Sequence, residues 1–421
     1  MSPTFRNLTS CRSSNLTRSL LLTLILVLTT LSAPAQAPAL HTDPLNLDPQ
    51  IKQSLQAFNN LDFDAALKIQ EQVAQQHPTN PMAWDYVLTT LIFRELYHQD
   101  LLDTTYYAHD SFLNTKREVD VLPATRSRID DLTTKAIQLA DAEIKANSRD
   151  ANAYFARGYA KGMHAAFITL VDHSFSAAAR QGYSARNDSE SVLKIDPQYA
   201  DARMAIGIQQ FAVASLPRWV RLIVGFMGVG GNKEQGLANL RQSAAHGVVT
   251  PVESRTALSV FLRHDARYPE ALVVEHGLAD QYPHDYLFRL EVANLLKDEG
   301  HGLEAIAAYK QVIADAQKPP VHGTSYFTDP RLQMAWFGMA DTQRGYNDLK
   351  GAVYGYTQAA LQPNCSDWLR KRAELNAGEM YDLLQDRPQA TRMYQLTLAP
   401  GGDQSQANTA NKYLQTPFTG K

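Results

Sequence analysis

Twelve histidines in a chain of 421 residues raise the question of whether this protein holds a metal ion. The densest group of possible ligands contains His98, Asp100, Asp103, His109 and Asp110. Helical zinc sites use a His-Glu-x-x-His pattern, which does not occur in the sequence, and the spacing of this group matches no regular metal-binding loop. We therefore interpret the stretch as a solvated polar loop, and we expect no metal and no other cofactor.

Nucleophile and phosphate-binding motifs are missing as well. No Gly-x-Ser-x-Gly segment occurs, and Cys365 lacks a local catalytic signature. A phosphate loop needs two glycines separated by four residues and followed by Lys-Ser/Thr, but here Gly225 and Gly230 are followed by Gly231-Asn232. We expect a protein without catalytic activity, and an enzyme assembled from distant residues is the alternative.

Overall composition is that of an ordinary globular protein. Hydrophobic residues make up 44% of the chain and charged residues 20%, with a formal net charge of -3. Nucleic-acid binding calls for a strongly basic face, and this charge balance gives no reason to expect one. We expect no nucleic-acid partner.

The N-terminal residues have the pattern of an export signal. Arg6, Arg12 and Arg18 precede an apolar core at Leu20–Leu31, and small residues follow it. We expect a signal peptide over residues 1–35 with cleavage after Ala35; cleavage after Ala37 and retention as an anchor are the alternatives. The protein would then be periplasmic or secreted. Its remaining cysteine, Cys365, is expected to be a partly buried loop residue, with pairing between chains as the alternative.

Two stretches near the C-terminal end share one spacing of residue types. The segments 295–316 and 379–400 each place a small residue between two larger ones, as Leu296, Ala305 and Tyr309 and as Tyr381, Ala390 and Tyr394. Ala271 precedes Ala305 by 34 residues, and Ala352 holds the same place in a further unit. A small residue that recurs at one point of a helix pair indicates a close helix crossing, stacked unit on unit.

Proline marks the junctions between units. Pro81 suits a first helical position because its missing N–H would be unpaired there, and Pro197 disfavours helix at Asp196. We expect a short linker at 36–46, one helical solenoid over 47–416 and a C-terminal tail at 417–421. Irregular insertions are expected near 97–121, 216–232 and 318–331.

Aromatic, alanine and proline positions of these units resemble those of tetratricopeptide (TPR) repeats. The resemblance implies an all-α fold, a right-handed α–α superhelix. Three segments further resemble a family of exported bacterial TPR proteins without assigned chemistry. They are "DPQYADARMAIG" (196–207), "LPRWVRLIVGFMGVGGNKEQGLANLRQSAAHG" (216–247) and "YPHDYLFRLEVANLLKDEG" (282–300). The segment "GFMGVGGNKEQGL" is also distantly similar to the eukaryotic inclusion-body-clearance TPR family.

The stretch Leu216–Gly247 departs from the repeat pattern. Its first part, Leu216–Gly228, is the most apolar segment after the export signal, and Trp219 and Arg221 flank it as in helices that lie in a membrane interface. Burial in the solenoid is the interpretation that we favour. Asn232 is expected to cap the following helix, and Gly247 is expected to end it in a left-handed conformation.

TPR geometry then indicates which residues could contact a partner. Positions on the first helix of each unit that point into the concave face are Phe155, Tyr159, Met204, Ile208, Asn294, Lys297, Asp341, Arg344, Glu379 and Asp382. Their mixed chemistry suits a peptide or protein segment better than one small substrate. We expect a non-catalytic interaction scaffold; a membrane-surface adaptor that uses 216–228 is the alternative.

Overall fold

The computed structural model describes five ranges of the chain, residues 40–106, 119–216, 230–320, 325–401 and 404–420. From Thr42 onward the chain forms one compact unit. The export signal expected at 1–35 lies outside the described residues, as does the apolar stretch Leu216–Gly228 except for Leu216. None of the helices in these ranges is long and apolar enough to cross a membrane.

The described residues are all-α, with seventeen α-helices and no strand. A short 3-10 turn, Pro44–Leu47, precedes the first of them. The N-terminal helices are α1 (Pro49–Phe58), α2 (Phe63–Gln76), α3 (Pro81–His98), α4 (Pro123–Ala146), α5 (Ala151–Leu170), α6 (Phe175–Ile195), α7 (Arg203–Ser215) and α8 (Lys233–His246). The C-terminal helices are α9 (Pro251–His264), α10 (Tyr268–Gln281), α11 (Tyr286–Glu299), α12 (Gly302–Ala316), α13 (Gln333–Gly345), α14 (Leu349–Ala360), α15 (Asp367–Leu383), α16 (Arg387–Thr397) and α17 (Gln404–Gln415).

Polar side chains and prolines begin many of these helices. Asn80 accepts hydrogen bonds from the backbone N–H groups of Met82 and Ala83, and Pro81 is the first residue of α3, as the sequence predicted. Asn232 caps α8 through the N–H of Gln235, which confirms that prediction too. Each such bond satisfies a donor that the first turn of a helix leaves without an intrahelical partner.

Consecutive helices pack against each other along the chain as an all-α superhelix of TPR-like hairpins. Ala271, Ala305, Ala352 and Ala390 are completely buried, which confirms the predicted positions of the small residues. The tyrosines of the second helices, Tyr309, Tyr356 and Tyr394, are completely buried as well. The repeat spacing therefore identifies the residues at the contact between helices.

Two of these tyrosines lie against glycines of first helices. A Cβ atom added at Gly338 would lie 2.7 Å from the Tyr309 ring, and one at Gly378 would lie 2.5 Å from the Tyr394 ring. Both separations are too short for a side chain to fit. Glycine at these positions therefore lets the ring approach the backbone of the neighbouring helix.

Gly247 does not have the conformation predicted for it. Its φ is -67° and its ψ is 159°, so α8 ends in extended backbone and not in a left-handed residue. The Asp201 carboxylate approaches this point and accepts the N–H groups of Val248, Val249 and Thr250. A Cβ at Gly247 would lie 2.6 Å from Asp201 Oδ1, so the glycine makes room for the carboxylate.

The superhelix closes on itself between its N-terminal and central helices. One apolar core cluster contains Phe58 and Phe63 from α1 and α2 together with Tyr286 and Leu290 from α11. Tyr97, near the end of α3, lies 6.4 Å from Tyr286 between ring centroids. Helices more than 180 residues apart in the chain therefore share one core.

A buried carboxylate joins the end of α3 to the C-terminal helices. Asp100 Oδ1 accepts hydrogen bonds from Arg331 Nε at 2.5 Å and from Gln333 Nε2 at 2.9 Å, and Asp100 Oδ2 accepts the N–H of Ser366 at 3.2 Å. Asp100 is 2% exposed and Arg331 5% exposed. The interpretation of this stretch as a solvated polar loop is therefore wrong at Asp100, which is enclosed by donors from distant helices, whereas His98 is exposed.

Ala305→Leu tests the repeat packing. The larger side chain has no space at this buried position, so we expect the free energy of unfolding to fall by about 1–3 kcal/mol through overpacking. Ala307→Leu is the matched control, because Ala307 is exposed on the same helix. Chemical denaturation measures both variants, and equal stability of the two would contradict the assigned packing.

Arg331→Met tests the buried ion pair. Removing the guanidinium leaves the Asp100 carboxylate buried with fewer donors, so we expect a loss of about 3–5 kcal/mol in stability. Arg241→Met is the comparison, because Arg241 pairs with Glu270 on the surface at 3.0 Å, where such pairs contribute about 0–1 kcal/mol. If Arg331→Met lowers the stability no more than Arg241→Met does, the ion pair of Arg331 with Asp100 does not stabilise the contact between α3 and the C-terminal helices.

Candidate binding groove

Four of the ten predicted partner-binding residues lie side by side on the first helices of the last two complete hairpins. Asp341 and Arg344 belong to α13, and Glu379 and Asp382 belong to α15. Arg344 Nη1 lies 2.9 Å from Glu379 Oε2 across the two helices. The concave-face positions predicted from TPR geometry thus include two residues, Arg344 and Glu379, that are in contact across neighbouring repeats.

Glu379 is buried beside this arginine. Its exposure is 8%, and burial raises the pKa of its carboxyl, while the positive charge of Arg344 opposes the shift. Burial has the larger effect. Arg344 remains about one-third exposed, so its guanidinium is the charged group of this pair that contacts solvent.

Asp341 and Asp382 also have a structural role that the sequence reading missed. Tyr356 donates a hydrogen bond to Asp341 Oδ1 at 2.5 Å, and Tyr394 donates one to Asp382 Oδ2 at 2.8 Å. A third repeat has the same arrangement, in which Tyr309 donates to Asn294 Oδ1 at 2.6 Å. The first-helix polar residue therefore satisfies the buried tyrosine of its own hairpin. The available signal was a separation of 15 residues, which recurs in the Asn294–Tyr309 and Asp341–Tyr356 pairs but not in the Asp382–Tyr394 pair, where it is 12.

The non-helical C-terminal segment 417–420 places Phe418, which is partly buried, against the surface of α13, α15 and α17, called the groove below. The backbone N–H of Phe418 donates to Asp382 Oδ2 at 2.8 Å. Its ring lies 5.8 Å from the Arg344 guanidinium and 5.3 Å from the Tyr413 ring. The segment was predicted only as a tail, because repeat spacing carries no information about a non-helical stretch after the last helix.

Arg387 fixes the end of α17 just before that segment. Its Nη2 donates to the carbonyl oxygens of Tyr413 at 2.6 Å and of Leu414 at 2.7 Å, and its Nη1 donates to Asp382. Cations favour the C-terminal end of a helix, where carbonyl groups lack intrahelical partners. The carboxylate of Asp382 thus holds Arg387, Tyr394 and Phe418 at one point.

The remaining predicted residues lie elsewhere. Phe155 and Tyr159 are buried and stack on each other with ring centroids 5.8 Å apart, and Lys297 lies 3.9 Å from Asp298. Met204, Ile208 and Asn294 line a cavity of about 350 Å³. Partner contact by all ten residues stays a prediction.

Cys365 is 5% exposed between α14 and α15, which confirms that it is a buried loop residue. Burial raises the pKa of its thiol to about 12, so the nucleophilic thiolate is disfavoured. Within the described ranges, no group of three or more histidine, cysteine or acidic residues has an arrangement that could hold a metal ion. His109 and Asp110 of the group considered above lie outside those ranges.

No family model and no curated protein matches this chain. Among solved structures, the crystal structure of yeast Tom70 is similar at 11% identity, with 87% of each chain covered and a TM-score of 0.39. The Cut9–Hcn1 hetero-tetramer of APC/C is similar at 12% identity and a TM-score of 0.48, over 87% of this chain and 55% of that chain. A TPR protein from Thermus thermophilus is similar at 16% identity and a TM-score of 0.34, over 59% of this chain and 97% of that chain.

This chain thus spans about half the length of the chain in the Cut9–Hcn1 structure. At these identities and scores the likenesses carry no conclusion about partners or activity. The TPR-like fold rests on the packing of the recurring alanines, tyrosines and glycines described above. Membership of the exported bacterial TPR family stays a prediction.

Proposed function

We propose that this protein is a non-catalytic interaction scaffold of the periplasm or cell exterior that binds a peptide or protein segment between α13, α15 and α17. The observation that carries the proposal is Phe418 of the non-helical segment 417–420, which contacts Asp382, Arg344 and Tyr413. A surface that holds an aromatic residue of its own chain in this way offers the same contacts to another segment.

The contacts of that segment define the kind of partner. The Asp382 carboxylate accepts a backbone N–H, which any extended segment except one with proline at that position supplies. The Arg344 guanidinium and the Tyr413 ring flank an aromatic side chain. Cation–π and ring–ring contacts of this kind add about 0.5–1.5 kcal/mol each. We therefore infer a partner segment with an aromatic anchor and a free backbone N–H.

Such a partner competes with the chain's own segment. A tethered segment acts at an effective concentration in the millimolar range when its linker is short. Only the fraction of molecules with an empty groove is then competent to bind, and the apparent affinity for the partner falls by that fraction. Removal of residues 417–421 should therefore strengthen partner binding.

A labelled peptide with the sequence of residues 415–421 tests the groove. Fluorescence anisotropy should show binding to protein truncated after Thr416, and weaker binding to the full chain. A peptide with Phe418→Ala should bind at least about tenfold more weakly, a difference of about 1.4 kcal/mol. No binding to the truncated protein, or equal binding of the two peptides, would contradict the proposal.

Two protein variants locate the binding. Arg344→Met in the truncated protein should lower the affinity for the peptide, because it removes the guanidinium beside the aromatic ring. Arg392→Met is the matched control, since Arg392 is exposed on α16 away from these contacts. Equal losses from both substitutions would mean that net positive charge, and not this groove, attracts the peptide.

Export is the second part of the proposal, and it rests on the arginines and the apolar core of residues 1–35. Mass spectrometry of the mature protein from its native cell should find Gln36 as the first residue. A chain that begins at Pro38 would support cleavage after Ala37, whereas Met1 or Ser2 would contradict removal of a signal.

The other hypotheses rest on less. Membrane-surface association relies on Leu216–Gly228, of which only Leu216 is described, and sedimentation of the purified protein with liposomes would support it. An enzyme would require turnover that one substitution in the interior abolishes, and no described cluster of residues indicates which reaction to assay.

A further inference from the structure

Between the N-terminal and central helices lies a cavity of about 350 Å³ that is partly open to solvent. The turn between α1 and α2 and the end of α3 cover one side of it, and α5, α7, α9, α10 and α11 form the others. Small-molecule sites in proteins have volumes of about 300–1,000 Å³, and an apolar cavity of about 150 Å³ already binds benzene. The cavity therefore has room for a ligand about twice the size of benzene.

Apolar side chains make up most of the cavity wall. Phe93, Met163, Ile208, Phe261 and Phe288 come from five different helices. A space of this kind holds water poorly, because few polar groups are available to bind it. An apolar ligand is thus favoured over several ordered waters in most of the volume.

All ionisable side chains that line the cavity within the described residues are acidic. They are Asp103, Glu253, Glu275, Asp285 and Glu291, and no lysine or arginine lines the cavity in those ranges. Three of these acids have clear structural roles. Glu291 binds Arg263, Asp285 caps α11, and Asp103 accepts the N–H of Thr105.

Glu253 and Glu275 form no ion pair among the described residues, although the charges of Arg255 and Arg263 act on them from a distance. Tyr159 makes a long hydrogen bond of 3.5 Å to Glu253 Oε1. Glu275 is 1% exposed, and its Oε2 atom has no hydrogen-bond partner within the described part of the chain. A buried oxygen without a partner destabilises the fold by about 1–3 kcal/mol. Glu275 lines the cavity, so a ligand there would lie beside its carboxyl group.

Burial raises the pKa of both carboxyl groups. The pKa of Glu253 rises to about 7, and that of Glu275 rises well above its usual value, with the negative charge of Glu291 adding to the shift. A positive charge within about 4–6 Å reverses such a shift, because it favours the ionised carboxylate. A cationic group in the cavity would therefore stabilise the ionised Glu275 carboxylate through a charge-assisted hydrogen bond.

We propose that this cavity binds a small apolar molecule that carries a single amine, with the ammonium group against Glu275 and the apolar body among the surrounding aromatic and aliphatic side chains. The proposal is independent of the function proposed for the C-terminal groove. An anionic ligand is disfavoured because every ionisable side chain in the described wall is acidic. A neutral hydroxyl group can donate one hydrogen bond to Glu275 but gains no attraction between opposite charges.

Three probes that differ only in the polar group test the proposal on the full chain. They are 4-phenylbutylamine, 4-phenylbutanol and 4-phenylbutyrate, whose common body matches the size of the cavity. Isothermal titration calorimetry at neutral pH should show that the amine binds at least about tenfold more tightly than the alcohol, and that the carboxylate does not bind. Equal or tighter binding of the carboxylate would overturn the proposal.

Variants place the amine in the cavity. Glu275→Gln keeps the shape of the side chain and removes its charge, so the affinity for the amine should fall to that for the alcohol. Asp280→Asn is the matched control on α10, because Asp280 is exposed, and it should leave the affinity unchanged. Ala257→Phe fills part of the cavity from another helix and should abolish binding of both the amine and the alcohol.

Each remaining outcome decides against the proposal. If Ala257→Phe folds, as judged by circular dichroism, and still binds the amine, the ligand lies on the surface. If Glu275→Gln and Asp280→Asn reduce the affinity for the amine equally, the net charge of the protein, and not Glu275 itself, attracts the amine. If none of the three probes binds the unsubstituted protein, the cavity is not a site for this class of ligand.

Discussion

The buried carboxylate of Asp100 is the constraint on which the shape of this molecule depends. A solenoid of stacked hairpins needs only contacts between neighbours, so nothing in the repeat itself would bring α3 to α13. Removing a carboxylate and a guanidinium from water is costly, and the attraction between them compensates only when further hydrogen bonds satisfy the remaining atoms. Gln333 and the N–H of Ser366 supply those bonds to Asp100.

A second buried cation extends the same connection. Arg263 is 1% exposed and binds Glu291 and Asp298, and it also donates to Thr104 at 2.8 Å, just after the end of α3. Two polar residues that follow α3 thus bind arginines from later parts of the chain: Asp100 binds Arg331, and Thr104 binds Arg263. The concave surface between the N-terminal and central helices is thereby narrowed to a partly open cavity.

The sequence predicted the parts of this structure that depend on local spacing. The burial of Ala305 and Ala390 follows from the repeat period, and the cap at Asn232 follows from the preference of asparagine for the start of a helix. The closure could not be predicted in this way, because Asp100 and Arg331 are 231 residues apart and no periodic pattern connects them. For the same reason Asp100, which is buried by distant helices, was interpreted as part of a solvated loop.

Errors at single residues have similar causes. Gly247 was expected to be left-handed because glycine commonly ends helices in that way, but the close approach of Asp201 requires the missing side chain. Asp341 and Asp382 were expected to point at a partner, and their hydrogen bonds to buried tyrosines could be recognised only when three repeats were compared. Local rules therefore located these positions correctly and left their contacts undetermined.

Distance measurement between spin labels tests the closed superhelix most directly. Labels at Gln56 on α1 and Asp280 on α10, both exposed, report on the contact between the N-terminal and central helices. A reference pair at Val273 and Leu303 lies on exposed positions of α10 and α12. The account predicts one distance distribution for the first pair, as narrow as that of the reference pair. A broad or two-peaked distribution for Gln56 and Asp280, beside a narrow reference, would contradict the closure.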